Sequence, residues 1–188
     1  ALTAIIETDT DWSTTRFIID DRAVENNKTP CFLVRSKLKS FKLPIQKLVR
    51  DQKFLDLHPE QACYVKVTNS NEKKFIRLGL NQDKGSDQTD CFILEKDGSI
   101  TTPIDWNYEQ ITEAIACPIE DKTLSIRGGI FTTIANQAES VYNYYSRGID
   151  IIRSNTVVDG ITHYVIGEGK HGSPYRGFIN ALDCANVT

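Results

Sequence analysis

The stretch GIDIIRSNTVVDGI, residues 148–161, decides the fold that the sequence predicts. It contains two short runs rich in β-branched residues, 149–152 and 156–158, and such runs favour β-strands. The polar trio 153–155 separates the two runs, and Asp159-Gly160 closes the second one with a turn signal. The stretch therefore predicts a strand, a tight corner, a second strand and a turn.

The neighbouring sequence repeats this arrangement on both sides. Residues 124–134 and 177–188 each contain short apolar runs separated by a polar corner. Measured from the apolar residue before each corner, the spacing is about 26 residues from Ile126 to Ile152 and about 30 from Ile152 to Leu182, which lies in the range of solenoid repeats. Because the strands are very short, the pattern predicts a β-solenoid rather than a helical one.

Residues 123–188 resemble successive coils of a right-handed parallel β-helix of the pectate-lyase-like superfamily, which includes polysaccharide lyases, polygalacturonases and phage tailspikes. Residues 2–21 resemble an earlier coil. In such a stack every strand pairs with those above and below it, and the corners use residues that tolerate positive φ. Asn155 and Asn186 fall where these corners are expected. The alternative is that both are ordinary loop asparagines in a β-sandwich.

Between Cys31 and Trp106 the pattern changes to longer alternating strands with polar turns. The strongest hairpin signal is Lys96-Asp97-Gly98, because Asp-Gly between alternating strands suits a primed turn. We therefore expect an all-β chain made of right-handed parallel β-helix (solenoid) coils with an inserted antiparallel β domain. The predicted domains are a first coil at 1–24, the insertion at 25–118 and later coils at 119–188. Strand patterns at both ends also predict a fragment of a longer β-helix.

Composition excludes several classes of function. The chain is 40% hydrophobic and 25% charged, as in ordinary globular proteins. Its net charge of -3, with mixed signs, gives no support to broad nucleic-acid binding. No run of about 18 apolar residues is present, so no membrane span is predicted. A local group of basic residues at 35–53 is interpreted as a solvated strand edge or as a contact for an anionic polymer.

The five cysteines are odd in number and widely spaced, which supports neither a zinc ribbon nor a thioredoxin motif. We expect them to be small buried hydrophobic residues. They are Cys31, Cys63, Cys91, Cys117 and Cys184.

Polar excursions between the predicted coils carry the candidate functional groups, since rigid scaffolds place function on loops. Aromatic rings stack on sugars, and Arg or Lys pairs with uronate carboxylates. The candidate catalytic residues are His163, Glu168 and His171. The candidate substrate-binding residues are Tyr144, Tyr145, Arg147, Tyr175 and Arg176. The alternative is a solvent loop at 162–176 whose glycines only make turns, and a double tyrosine that only packs.

Glycoside hydrolysis needs two carboxyl groups, and Asp20-Asp21 and Asp9/Asp11 are the paired candidates. Neighbouring residues on a strand point to opposite faces, so the adjacent pair suits catalysis only at a corner. Polygalacturonases of the resembled superfamily carry an Asp-Asp pair and three further motifs, and only Asp20-Asp21 matches here. That mechanism is therefore not carried over. Lyases of the superfamily bind calcium, which is a candidate cofactor, but no acidic cluster marks a metal site.

The resemblance implies a secreted, cell-surface or virion-associated protein that binds a polysaccharide and cleaves it by lyase or hydrolase chemistry. The main alternative is a non-catalytic phage appendage, tailspike segment or adhesin that recognises cell-surface glycans. A purely architectural fragment is the third interpretation. A homotrimer, which is common among tailspikes, is the candidate assembly.

Overall fold

The computed structural model describes residues 2–23, 29–74, 84–136, 147–169 and 177–188. In these residues every regular element is a β-strand, so the prediction of an all-β chain is confirmed. The chain divides into two compact units, which we call unit 1 (Ala1–Lys37 with Asp121–Thr188) and unit 2 (Leu38–Glu120).

The described strands follow one another along the chain and are short in unit 1. In order they are β1 (Ala4–Ile6), β2 (Thr10–Asp11), β3 (Arg16–Asp20), β4 (Phe32–Val34), β5 (Phe41–Lys42), β6 (Cys63–Lys74), β7 (Ser86–Leu94), β8 (Glu113–Pro118), β9 (Leu124–Arg127), β10 (Ile130–Ile134), β11 (Ile149–Ile151), β12 (Thr156–Asp159), β13 (Thr162–Ile166) and β14 (Ile179–Ala181).

The described residues of unit 1 form three sheets, and all the strands in these sheets pair in parallel. Sheet A has the order β1-β4-β11-β14, sheet B the order β12-β9-β2 and sheet C the order β13-β10-β3. The chain therefore adds a strand to sheet A, then to B, then to C, and repeats this order. Unit 2 interrupts the sequence between β4 and β9. After β14, a parallel bridge from Val187 to Thr156 returns the chain to sheet B.

The strand pairs confirm the predicted repeat spacing of about 30 residues and correct the one of about 26. Leu124 pairs with Thr156, 32 positions later, and Ile149 pairs with Ile179, 30 positions later. The predicted equivalence of Ile126 and Ile152 is wrong, because Ile126 pairs with Val158. The corner after β9 leads from sheet B to sheet C, whereas the corner after β11 leads from sheet A to sheet B. Both corners are polar residues between short apolar runs, so they look alike in sequence.

Inward side chains of unit 1 form an apolar core with a large aromatic component. Phe17, Phe131 and His163 occupy one register position across sheet C. The rings of Phe17 and Phe131 are stacked with centroids 4.5 Å apart, and Trp12 and Phe32 approach each other at 4.9 Å. The buried members of this core are Ile6, Trp12, Ile19, Val34, Leu124, Ile126, Phe131, Ile149 and Ile151. Burying one such side chain contributes about 1.5–3 kcal/mol.

The corners between sheets A and B stack on one another through hydrogen bonds. Asn155 and Asn186 have φ values of 52° and 56°, which confirms the positive φ predicted for them. The Asn186 Nδ2 donates to Asn155 Oδ1 at 3.0 Å. The buried Arg153 Nη1 donates to the carbonyls of Ser154 and Asn155, and its Nη2 donates to the carbonyl of Lys122. The guanidinium thus joins this corner to the residues that precede β9.

Unit 2 is built on one antiparallel sheet, sheet D, with the order β5-β8-β6-β7. The predicted hairpin at Asp97-Gly98 is confirmed, since the Glu95 amide donates to the Ser99 carbonyl at 2.8 Å. The predicted primed turn is wrong, because Gly98 has a positive φ of 87° but Asp97 does not. Side chains that alternate along β6, β7 and β8 form its core with residues of the loops. The buried members are Ile45, Leu48, Cys63, Val65, Val67, Phe92, Leu94, Ile100, Ile104, Tyr108, Ala114 and Ala116.

Close stacking of the sheet A strands makes a specific demand at Gly148. A Cβ atom at this position would collide with the backbone carbonyl of Phe178. We expect Gly148→Ala to lower the free energy of unfolding of unit 1 by about 1–3 kcal/mol, because backbone cannot yield as a flexible side chain does. Urea unfolding followed by Trp12 fluorescence in a Trp106→Phe background measures it, since the sequence has two tryptophans.

Gly177→Ala is the matched control, because a Cβ there would meet the Ile179 carbonyl oxygen at an ordinary 3.5 Å. Equal unfolding midpoints for the two variants would contradict the close approach at Gly148.

Candidate functional site

A shallow groove of about 340 Å³ lies on the outer face of sheet B. Leu124 and Ile126 of β9 are buried in the core, so the alternating residues Ser125 and Arg127 face outward. The groove is lined by Asp9, Thr10, Asp11, Ser125 and Arg127. Its wall is therefore polar and carries charges of both signs.

Backbone and hydroxyl donors hold the two carboxylates of this groove. The Ser125 amide donates to Asp9 Oδ1 at 2.8 Å. The amide and hydroxyl of Ser13 donate to Asp11 Oδ1 at 2.8 Å and 2.5 Å. The hydrogen bonds from Ser13, aided by the charge of Arg127, lower the pKa of Asp11 below its ordinary value. Asp11 is therefore ionised at neutral pH and can accept, but not donate, a proton in a hydrogen bond.

Strand register extends the polar row to the neighbouring strand. Asp11 of β2, Arg127 of β9 and Asp159 of β12 lie opposite one another. A guanidinium therefore lies between two acidic positions on neighbouring strands. Such a row offers hydrogen-bond donors and acceptors to a ligand rich in hydroxyl groups, and the lowered pKa of Asp11 does not suit this residue to general-acid catalysis.

His163, a predicted catalytic residue, is packed into the structure. Its Nε2 lies 2.9 Å from Thr133 Oγ1, and its ring stacks on Phe178 with centroids 3.9 Å apart. Burial lowers the pKa of His163. Glu168 is exposed after β13, and among the described residues no hydrogen bond or ion pair joins it to His163. These two groups therefore make no direct polar contact with each other in the described residues.

Arg147, a predicted substrate-binding residue, is held by an internal ion pair. Its side chain is only 15% exposed, and its Nη1 donates to Asp21 Oδ1 at 2.8 Å. Asp21 is completely buried, and this burial raises the pKa of its carboxyl. The pair links the end of β3 to the start of β11, so the charge of Arg147 is used within the fold.

The adjacent carboxylates Asp20 and Asp21 have separate environments. Asp20 is exposed and accepts two hydrogen bonds from the Arg22 guanidinium, at 2.9 Å and 2.6 Å. These bonds lower the pKa of Asp20 to about 2. Because Asp21 has no exposed surface, the two groups cannot flank a glycosidic bond in this structure.

The remaining predicted site residues lie outside the described residues. They are His171, Tyr144, Tyr145, Tyr175 and Arg176. The topology nevertheless relates the segments that contain them. Residues 135–148 and 167–178 both connect a strand of sheet C to a strand of sheet A, as does the segment 21–31. All three long excursions therefore start and end at the same two sheets.

The basic segment 35–53 does not lie on one unit. Arg35 belongs to unit 1 and pairs with Glu7 at 2.7 Å. Lys47 and Arg50 belong to unit 2, where they lie near Glu109 and Asp51 at 3.6 Å and 3.7 Å. Acidic neighbours therefore offset several of these charges, which weakens the interpretation as a contact for an anionic polymer.

All five cysteines are described and all are free thiols. Cys63 is fully buried, and burial raises its pKa to about 11, as expected for an inert structural cysteine. The other four cysteines are only partly buried, so the burial predicted for all five is complete at Cys63 alone. Among the described residues, no group of three or more His, Cys, Asp or Glu side chains could hold a metal ion. In the same part of the chain no helix has the length and apolar character needed to cross a membrane.

Comparison with known proteins gives no family assignment. No protein-family model matches the chain, and no curated protein matches it either. The resemblance to the pectate-lyase-like superfamily and the function that it implies therefore stay predictions.

Sequence reasoning named Asp9 and Asp11 but missed Ser125, Arg127 and Asp159. The alternation in Leu124–Arg127 is a signal that Ser125 and Arg127 share one face. Their position beside Asp9 and Asp11 depends on pairing between residues more than a hundred positions apart, which no local pattern reveals.

The environment of His163 predicts a pH-dependent stability. Its pKa in the folded state lies below the ordinary 6.5, so the unfolded chain takes up the proton first. The free energy of unfolding should therefore fall as the pH drops below about 6.5. Below the folded-state pKa, His163 is protonated in both states and causes no further loss. His163→Phe retains a ring to stack on Phe178 and should reduce the loss between pH 7 and pH 5, as measured by urea unfolding.

His58→Gln is the control, because His58 is exposed in unit 2. An unchanged pH dependence in His163→Phe would show that the imidazole is as easily protonated in the folded state as in the unfolded state.

The buried pair predicts that Arg147 stabilises unit 1. Arg147→Ala would leave the Asp21 carboxyl buried without its partner and should lower the free energy of unfolding by about 3 kcal/mol. Arg22→Ala removes an exposed guanidinium from Asp20 and should change the free energy of unfolding far less, because exposed ion pairs contribute little to stability. Urea unfolding with Trp12 fluorescence compares the two, and equal effects would contradict a structural role for Arg147.

Proposed function

We propose that unit 1 is part of a right-handed parallel β-helix of the pectate-lyase-like type. The order in which the chain visits sheets A, B and C supports this architecture, as do the in-register parallel pairs. The hydrogen-bonded asparagines at successive corners are typical of stacked coils. A crystal structure should contain right-handed coils around one core, and a left-handed winding or three separate sheets would overturn the assignment.

We propose that this unit binds a polysaccharide in the groove on the outer face of sheet B. The observation that carries the proposal is the polar row in which Arg127 lies between Asp11 and Asp159. Carboxylates accept hydrogen bonds from sugar hydroxyls, and a guanidinium donates to hydroxyl or ring oxygens. Ser125 and Thr10 add smaller polar groups to the same groove.

The strands that carry these groups favour binding because they limit the loss of conformational entropy. Arg127 and Ser125 lie on β9, which is paired on one side with β2 and on the other with β12. The hydrogen bonds to Asp9 and Asp11 fix one oxygen of each carboxylate. A ligand that meets groups already held in place loses less free energy to ordering than one that must organise them.

The charge of the groove favours a neutral glycan over a uronate. Asp9 and Asp11 line the groove and Asp159 extends its row, against one guanidinium, that of Arg127. The carboxylate of a uronate would be repelled by this excess of negative charge. The uronate contacts expected from the sequence belong to residues such as Arg176 that lie outside the described part of the chain.

Binding without cleavage is the activity that these groups support. The pKa of Asp11 is lowered and Asp21 is buried, so neither offers a neutral carboxyl to a glycosidic oxygen. Cleavage by His163, Glu168 or His171 stays a prediction. A glycan ligand fits the secreted, cell-surface or virion-associated location and the homotrimer expected from the resemblance.

A binding panel with matched variants tests the proposal. We expect the chain to bind a neutral β-glucan or mannan more tightly than polygalacturonate. Arg127→Ala and Asp11→Asn should each weaken that binding about tenfold or more, since a hydrogen bond to a charged group contributes about 1.5–3 kcal/mol. Arg22→Ala, which removes an exposed guanidinium from the turn after β3, should leave binding unchanged.

Titration calorimetry measures the affinities, and a reducing-end assay on the same mixtures measures turnover. Absence of binding to every glycan, or equal loss in all three variants, would contradict the groove. Release of reducing ends by the unmodified chain would contradict the proposal that binding occurs without cleavage.

A further inference from the structure

Unit 2 contains a cavity of about 460 Å³ at the end of sheet D where β6 begins and β8 ends. This volume lies within the range of small-molecule sites in proteins. Its apolar lining comes from Leu38, Phe41, Pro59 and Pro118. Phe41 and Leu38 are each 42% exposed, so the cavity presents large apolar side chains to solvent.

The wall of this cavity is fixed by hydrogen bonds between the loop before β6 and the residues after β8. The Gln61 side-chain Nε2 donates to the Ile119 carbonyl at 2.9 Å. The Ile119 amide donates to the Ala62 carbonyl at 2.8 Å. Cys63, which is fully buried, donates its thiol proton to the Gln61 carbonyl at 3.3 Å. The cavity is therefore formed before a ligand arrives, which favours tight binding.

Charges of opposite sign line the same cavity. Lys39 supplies an ammonium group and Glu60 a carboxylate. Within the described residues neither side chain forms an ion pair. The other titratable groups here are the His58 imidazole, which lies 3.5 Å from Asp56, and the buried Cys63 thiol. The cavity thus combines an apolar surface with one uncommitted cation and one uncommitted anion.

We propose that this cavity binds a free α-amino acid with an apolar side chain. The ligand's carboxylate pairs with Lys39, its ammonium group pairs with Glu60, and its side chain packs against Phe41 and the prolines. A zwitterion satisfies both charges at once, whereas an anion would meet Glu60 and a cation would meet Lys39. The proposal involves only unit 2 and does not depend on glycan binding by unit 1.

Titration calorimetry of the full chain tests the charge contacts with four probes. L-phenylalanine and L-leucine should bind. L-phenylalaninamide lacks the carboxylate and N-acetyl-L-phenylalanine lacks the ammonium group, so each should bind about tenfold more weakly or worse. Equal affinity for all three phenylalanine derivatives would overturn the proposal, and so would the absence of saturable binding by any probe.

Two single variants assign the contacts. Lys39→Gln should bind L-phenylalanine and L-phenylalaninamide equally, because the carboxylate has lost its partner. Glu60→Gln should likewise bind L-phenylalanine and N-acetyl-L-phenylalanine equally. Lys47→Gln and Glu109→Gln, which alter an exposed pair of the same unit, should keep the preference of the unmodified chain. Preferences that survive in Lys39→Gln and Glu60→Gln, or that disappear in the controls, would place the ligand elsewhere.

Discussion

Parallel, in-register pairing between successive passes of the chain is the constraint on which unit 1 depends. Each strand of two to five residues is too short to be stable alone, and it is held by the strands of neighbouring passes. Register fixes which side chains face inward, so Phe17, Phe131 and His163 are brought into one row although they are distant in sequence. The same constraint fixes the conformation of the corners, because a corner with a different conformation would shift the register of the strands that follow it. Asn155, Asn186 and Arg153 meet this demand through positive φ and hydrogen bonds to corner carbonyls.

Inward-facing and outward-facing side chains of these strands have different roles. Inward positions are committed to the core, which is why His163 has a hydroxyl partner and an aromatic neighbour. Outward positions on sheet B meet no such demand and carry the row of Asp11, Arg127 and Asp159. A charged residue in a polar excursion can still belong to the fold, as Arg147 shows by pairing with the buried Asp21. Its exposure and its partner decide its role, and neither can be read from a single sequence.

The local sequence pattern predicted strands and turns, but it did not predict which residues of successive passes pair with one another. The β-branched runs around residue 150 predicted β11 and β12, the asparagines predicted positive φ, and Asp97-Gly98 predicted a hairpin. The spacing was wrong where it equated Ile126 with Ile152, because two kinds of corner share the same polar character. Only the acidic residues of the groove on sheet B were predicted. The acids and the guanidinium come from β2 and β9, which are separated in the sequence by unit 2. The sequence has no local feature that reports such a pairing.

Unit 2 is inserted in the sequence between a strand of sheet A and a strand of sheet B. The step from sheet A to sheet B after β11 takes only residues 152–155, whereas the same step after β4 contains the whole of unit 2. Val34 before the insertion and Leu124 after it are both buried in the core of unit 1, so that core is continuous without any residue of unit 2. Unit 2 in turn has a separate core around Val65, Phe92 and Leu94. Because each unit buries its apolar side chains in its own core, each can present a separate binding surface. An insertion at a corner therefore adds a second candidate site without disturbing the strands that form the first.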